Sequence, residues 1–150
     1  MPSSDTSTGN LKSIKSKVMK RIYNTGIDTN QIELDVKVGT QGTAYTSVNL
    51  ARTGGENRKI AESNANSGDI LKKDIGDAKT IRDAYLIIRT TIDFSSFPTE
   101  LWPNLADTVV VKYHFNGGFS GDQIYNYDTD DIDIVLNGKV VVITKPIELK

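Results

Sequence analysis

Cysteine is absent and histidine occurs once, at position 114. The first absence removes thiol nucleophiles, disulfides, Cys-ligated zinc and iron–sulfur clusters. The second leaves a single residue of the type most used as a general base near neutral pH, and no nucleophile–histidine–acid constellation is recognisable around it. A preponderance of one charge is also lacking: 18 Lys plus Arg face 19 Asp plus Glu, a formal net charge of −1. That balance gives no global pull toward nucleic acid, and Arg52, Arg58, Lys59, Lys72 and Lys73 are interleaved with acids instead of forming a basic stripe. No run approaches the roughly 18 consecutive apolar residues of a membrane-spanning helix. The N-terminal MPSSDTSTGN carries no apolar signal core, which favours an intracellular location.

What is present suits one β-rich domain. The 150 residues are 37% hydrophobic and 25% charged, the balance of a globular chain. Residues 1–10 hold five Ser or Thr and a single apolar side chain apart from Pro2, and read as a disordered lead. From 11 to 24, Leu11, Ile14, Val18 and Ile22 are spaced for a short amphipathic helix, with Lys12, Lys15, Lys17, Lys20 and Arg21 on the remaining surface. Ile14, Val18 and Ile22 also share one strand parity, so a helix and an extended arm both fit. Docking of this stripe on the sandwich or a neighbouring subunit is the simpler use, with contact to an anionic surface as the alternative.

From Gln31 the period becomes two. Ile32, Leu34, Val36 and Val38 form one face, and after Thr40–Gly42 so do Ala44, Thr46, Val48 and Leu50; a hairpin is the economical connection. Residues 56–79 are polar and Gly-punctuated, as short edge strands or a long loop would be. Tyr85–Phe94 reads as a central strand and Val109–Phe115 as another, ending at Gly117–Gly118. Near the C-terminus, Asn137–Gly138 between two β-branched runs predicts a type I′ hairpin that opposes Ile134 to Val141 and Ile132 to Ile143 on an apolar face. Asp131 and Asp133 then fall on the other face, where they would blunt an exposed strand. About seven strands without a βαβ alternation predict an all-β antiparallel β-sandwich of immunoglobulin-like or jelly-roll type, spanning residues 11–150.

Two groups of side chains are candidates for binding. Asp122, Asp128, Asp130 and Asp131, in a stretch without basic residues, are the hard oxygen ligands calcium takes, although the EF-hand arrangement is missing. Trp102, Tyr125 and Tyr127 could stack on a carbohydrate. Against these stand a solvated loop and ordinary core packing. Gly117–Gly121 matches neither a phosphate-binding loop nor a dinucleotide fingerprint, and His114 points away from the apolar face of its strand. The sequence therefore predicts a non-catalytic binding or assembly module acting through edge strands and the N-terminal arm, with self-association or a protein partner. A calcium-dependent carbohydrate- or ligand-binding sandwich is the alternative.

Overall fold

Period-two alternation decides which side of every long strand is buried. The computed structural model describes residues 21–150. In it, strand β2 (Gln31–Gly39) buries Ile32, Leu34 and Val36, and β3 (Thr43–Ala51) buries Ala44, Thr46, Val48 and Leu50. Strand β6 (Tyr85–Asp93) buries Leu86, Ile88, Thr90 and Ile92, and β7 (Val110–Asn116) buries Val111, Tyr113 and Phe115. Strand β10 (Val140–Leu149) buries Val141, Ile143, Lys145, Ile147 and Leu149.

These strips close on one another from two sheets. The first runs β1 (Ile22–Tyr23), β10, β6, β3, β4 (Asn57–Glu62), with β9 (Ile132–Val135) also paired to β10. The second runs β5 (Ile70–Asp77), β2, β7, β8 (Gln123–Asn126). Among the named strands pairing is antiparallel except for β1, which lies parallel to β10 with Ile22 opposite Glu148. The architecture is an all-β sandwich with short helices. Helix α1 (Ala78–Ile81) is capped by Asp77, whose carboxylate accepts from Thr80 N at 3.2 Å. Helix α2 (Trp102–Asp107) has Pro103 in its first turn, where the missing N–H costs no hydrogen bond. Each fully buried large apolar side chain contributes about 1.5–3 kcal/mol, whereas exposed ion pairs such as Arg58–Glu56 are screened by solvent and add little. The facing strips, not the surface charges, hold the sheets together.

The central position of β6, between β3 and β10, is as the sequence predicts. Residues 56–79 form the edge strands β4 and β5. The expected hairpin between β2 and β3 is not formed: β2 pairs with β5 and β7, β3 with β4 and β6. Alternation states which residues share a face, and two strands can satisfy it by facing each other across a core as well as by lying side by side. The Thr40–Gly42 connection makes an arch between sheets, in which a Cβ on Gly42 would come within 2.7 Å of Asp93 O and 2.8 Å of the Phe94 ring.

The C-terminal hairpin has the expected register, Ile134 opposite Val141 and Ile132 opposite Ile143. Leu136 (φ 53°), Asn137 (φ 59°, ψ 26°) and Gly138 (φ 97°) are three consecutive left-handed residues, one more than the expected Asn–Gly turn needs, and the turn is closed by Lys139 N donating to Leu136 O at 3.1 Å. Its faces differ from expectation. Val141 and Ile143 are buried, but Ile134 and Leu136 are 49% and 65% exposed, because β9 is an outer strand that overhangs the core. Of the segment 11–24, residues 11–20 lie outside the described residues, and Ile22–Tyr23 is extended and not helical. Tyr23 is fully buried and stacks on Phe115 with centroids 5.0 Å apart.

Candidate functional site

Strand β10 has β6 along one side for most of its length. On its other side β9 covers Val140–Ile143 and β1 covers Glu148–Leu149, so the stretch between them has no strand neighbour there. Pro146, with no N–H to leave unpaired, falls in this stretch. The gap is filled by a 3₁₀ turn, Thr129–Asp131, entered from β8 through Tyr127 and Asp128. The turn is held by a reciprocal box: Asp128 N donates to Asp131 Oδ2 at 2.8 Å, and Asp131 N donates to Asp128 O at 2.9 Å.

Lys145 occupies an inward position of β10, among Val141, Ile143, Ile147 and Leu149, and is fully buried. An isolated ammonium there would lose its hydration without compensation, a cost of several kcal/mol. Compensation comes from the turn: Lys145 Nζ donates to Asp128 Oδ2 at 2.9 Å and to Asp131 Oδ2 at 3.2 Å. Arg21, just before β1, donates through Nη2 to Asp128 Oδ1 at 2.6 Å. Asp128 thus receives both cations, and Lys145 bridges it to Asp131. Burial works against ionisation of Asp128, but the hydrogen bonds from Lys145 and Arg21 outweigh it, and its carboxyl sits below the usual carboxylate range. A cleft of about 340 Å³ opens over the group, lined by Arg21, Tyr127, Asp128, Asp131, Lys145 and Pro146 among others. On its inner side Tyr113 is fully buried, its hydroxyl without a hydrogen-bond partner among the described residues. Burial first, then the charges of Asp131 and Tyr127, push its pKa far up, so the phenol stays neutral.

The four aspartates expected to share a calcium ion are not brought to one point. Asp128 and Asp131 converge, with Lys145 Nζ between them. Asp130 stands exposed on the turn. Asp122 lies at the opposite end of β8, its Oδ1 3.2 Å from His114 Nε2 on the outer face of the second sheet. Four strand residues separate the two places, about 13 Å of chain. Among the described residues no group of three or more His, Asp or Glu side chains is arranged to hold a metal. Asp131, expected on a solvent-facing side, is instead 6% exposed, because the turn folds inward to meet the buried ammonium.

The aromatic candidates are similarly dispersed. Trp102, on α2, donates Nε1–H to Phe97 O at 3.0 Å. Tyr125 donates to Ile22 O at 3.0 Å and sets its ring edge-on to Phe115, while Tyr127 donates to Val109 O at 2.9 Å. All three pack against the core, and each polar atom is used on a main-chain carbonyl. Sequence reasoning missed Lys145, Arg21 and Tyr23. The signal for Lys145 was present: it shares parity with four buried apolar residues, and a lysine in such a row requires a carboxylate opposite.

A second concavity, of about 610 Å³, lies on the far flank between β4 and β5; Lys59, Glu62, Asp69, Lys73, Ile70 and Leu71 are among its lining residues. It is an open groove of mixed charge.

Comparison with family models, with curated proteins and with solved structures returns no match to this chain.

Proposed function

We propose that this protein is a non-catalytic assembly module whose partner is a second copy of the same chain, joined through the free edge of β9 and the N-terminal arm. The observation that carries this reading is the composition of the β9 edge. Ile134 and Val135 on β9, with Leu136 at the start of the turn that follows, form an exposed apolar run, and the outer main chain of β9 pairs with no described strand. The edges β4 and β5 carry features that discourage pairing, whereas β8 is uncharged and exposes Ile124. Strand β5 has two register shifts against β2 and the run Lys72-Lys73-Asp74, and β4 presents Arg58, Lys59 and Glu62. On β9 the sole charged residue is Asp133.

The N-terminal sequence has a pattern that fits such an edge. Strand β1, parallel to β10, lies on the same side of β10 as β9. Twenty residues precede Arg21, including the stripe Leu11, Ile14 and Val18. An apolar row of that length added to the β9 edge of a neighbouring copy would give main-chain pairing and alternate side-chain contacts.

The test is sedimentation velocity on the full chain and on a chain lacking residues 1–20; the deletion stops there because Tyr23 belongs to the core. The full chain is expected to form a defined, concentration-dependent oligomer that the shortened chain loses while keeping its fold. A full chain that stays monomeric, or an oligomer indifferent to the deletion, would overturn the reading. A rise of the thermal midpoint in millimolar calcium over EDTA would instead favour the calcium-dependent alternative.

A further inference from the structure

We infer that Lys145 and Asp131 are a self-ligating pair: an amide between Lys145 Nζ and Asp131 Cγ forms inside the folded protein, with Asp128 as the proton-transfer group. The inference starts from burial. The side chains of Lys145 and Asp131 are 1% and 3% exposed, so the amine and the carboxyl are shielded from the water that would compete with their reaction. They are also held together. Nζ lies 3.2 Å from Asp131 Oδ2, and a fixed pair in contact reacts with an effective concentration far above any reached by free molecules.

The surroundings supply what the step needs. The step begins when one ammonium proton passes through Asp128 Oδ2, 2.9 Å from Nζ, to Asp131 Oδ1, which leaves a neutral amine facing a carboxylic acid whose hydroxyl is Oδ1. The amine nitrogen attacks Cγ of Asp131. Negative charge then develops on Oδ2, which already accepts from Asp128 N at 2.8 Å, so a main-chain donor is in place for it. Asp128 Oδ2, 2.9 Å from Nζ, takes the proton released by nitrogen and passes it to the departing Oδ1 hydroxyl. The N–C bond forms, the C–O bond breaks and one water leaves through the cleft. Nothing is oxidised or reduced, no co-reactant is consumed, and Asp128 ends as it began.

The charge balance survives the reaction. The reaction removes one positive and one negative charge together, and Arg21, 2.6 Å from Asp128, still pairs with that carboxylate afterwards. The bond would also lie where the first sheet needs one. It ties the Asp128–Asp131 turn to the part of β10 that neither β9 nor β1 covers.

Peptide mass spectrometry on the purified full-length chain, digested with trypsin after denaturation, decides the matter. Cleavage at Lys112 and Lys139 places Asp131 and Lys145 on separate peptides, 113–139 and 140–150. The expected product is a branched peptide joining the two, lighter than their sum by one water, with fragmentation placing the link at Asp131 and Lys145. Asp131→Ala and Lys145→Met chains should give only linear peptides, and Asp128→Asn should slow bond formation by about 10²-fold or more. If a variant fails to fold, the unaltered chain alone still answers. Linear peptides of full mass from the folded wild-type chain, or a water loss confined to one linear peptide, would overturn the inference and leave an ion pair.

Discussion

On one flank of the sandwich, β4 and β5 bring Ala61 and Ile70 over the core and turn Arg58, Lys59 and Lys73 toward solvent. On the other, the first sheet has no continuous outer strand: β1 and β9 cover the two ends of β10, and a turn with two aspartates closes the gap over a buried lysine. The same need, keeping water from a β-sandwich core, is met by apolar packing on the first flank and by a compensated ion cluster on the second. The two solutions should fail differently. Packing weakens in proportion to what is removed, whereas a buried charge that loses its partner is left with its whole desolvation cost.

The largest effect should come from separating the charges. Asp131→Ala leaves the Lys145 ammonium with the half-exposed Asp128 alone, and the expected loss is about 3–5 kcal/mol, read from the urea midpoint. On the packed flank, Ile60→Ala trims a side chain only partly buried and should cost clearly less in the same titration. Next comes the clasp at the end of β1, where the Tyr23 hydroxyl accepts from Gly118 N at 2.9 Å and donates to Gly121 O at 2.8 Å. Tyr23→Phe keeps the ring stack but removes both bonds, with an expected cost of about 1–3 kcal/mol.

Acid should distinguish the flanks more gently. Asp128 has its carboxyl pKa lowered in the fold, so its contribution is fully present above the unfolded value of about 4 and is lost as pH falls through the lower folded value. Stability measured downward from neutral pH should therefore hold until about pH 4 and then decline. Asp128→Asn should flatten that part of the profile, and equal acid sensitivity in both chains would contradict the account.

How far the sequence was legible follows the same division. The packed parts obey alternation, and the faces of β6 and β7 and the register of the C-terminal hairpin could be read from local pattern because alternation and the position of Asn137–Gly138 are local. Partnership was less legible. Nothing in the rows Ile32–Val38 and Ala44–Leu50 tells an arch from a hairpin, since both bury the same side chains. The ion cluster was hidden for a related reason: Asp131 looks like a solvated edge residue until Lys145, fourteen positions later, is recognised as inward-facing. Asp122 and Asp128 are near in sequence, but β8 carries them to different places. The exposure of Ile134 and Leu136 depended on whether any strand lay beyond β9, which a hairpin's own register does not contain.

The smallest effect on stability should accompany the largest effect on assembly. Ile134→Lys on the β9 edge and Leu71→Lys on β5 both add charge at exposed apolar positions and should each change stability by only about 0.5 kcal/mol or less. Sedimentation velocity of these two chains beside the unaltered one, over a range of concentrations, tests the central claim most directly. The account predicts an oligomer that Leu71→Lys leaves intact and Ile134→Lys dissociates. A monomer throughout, or an oligomer lost with Leu71→Lys and kept with Ile134→Lys, would contradict it.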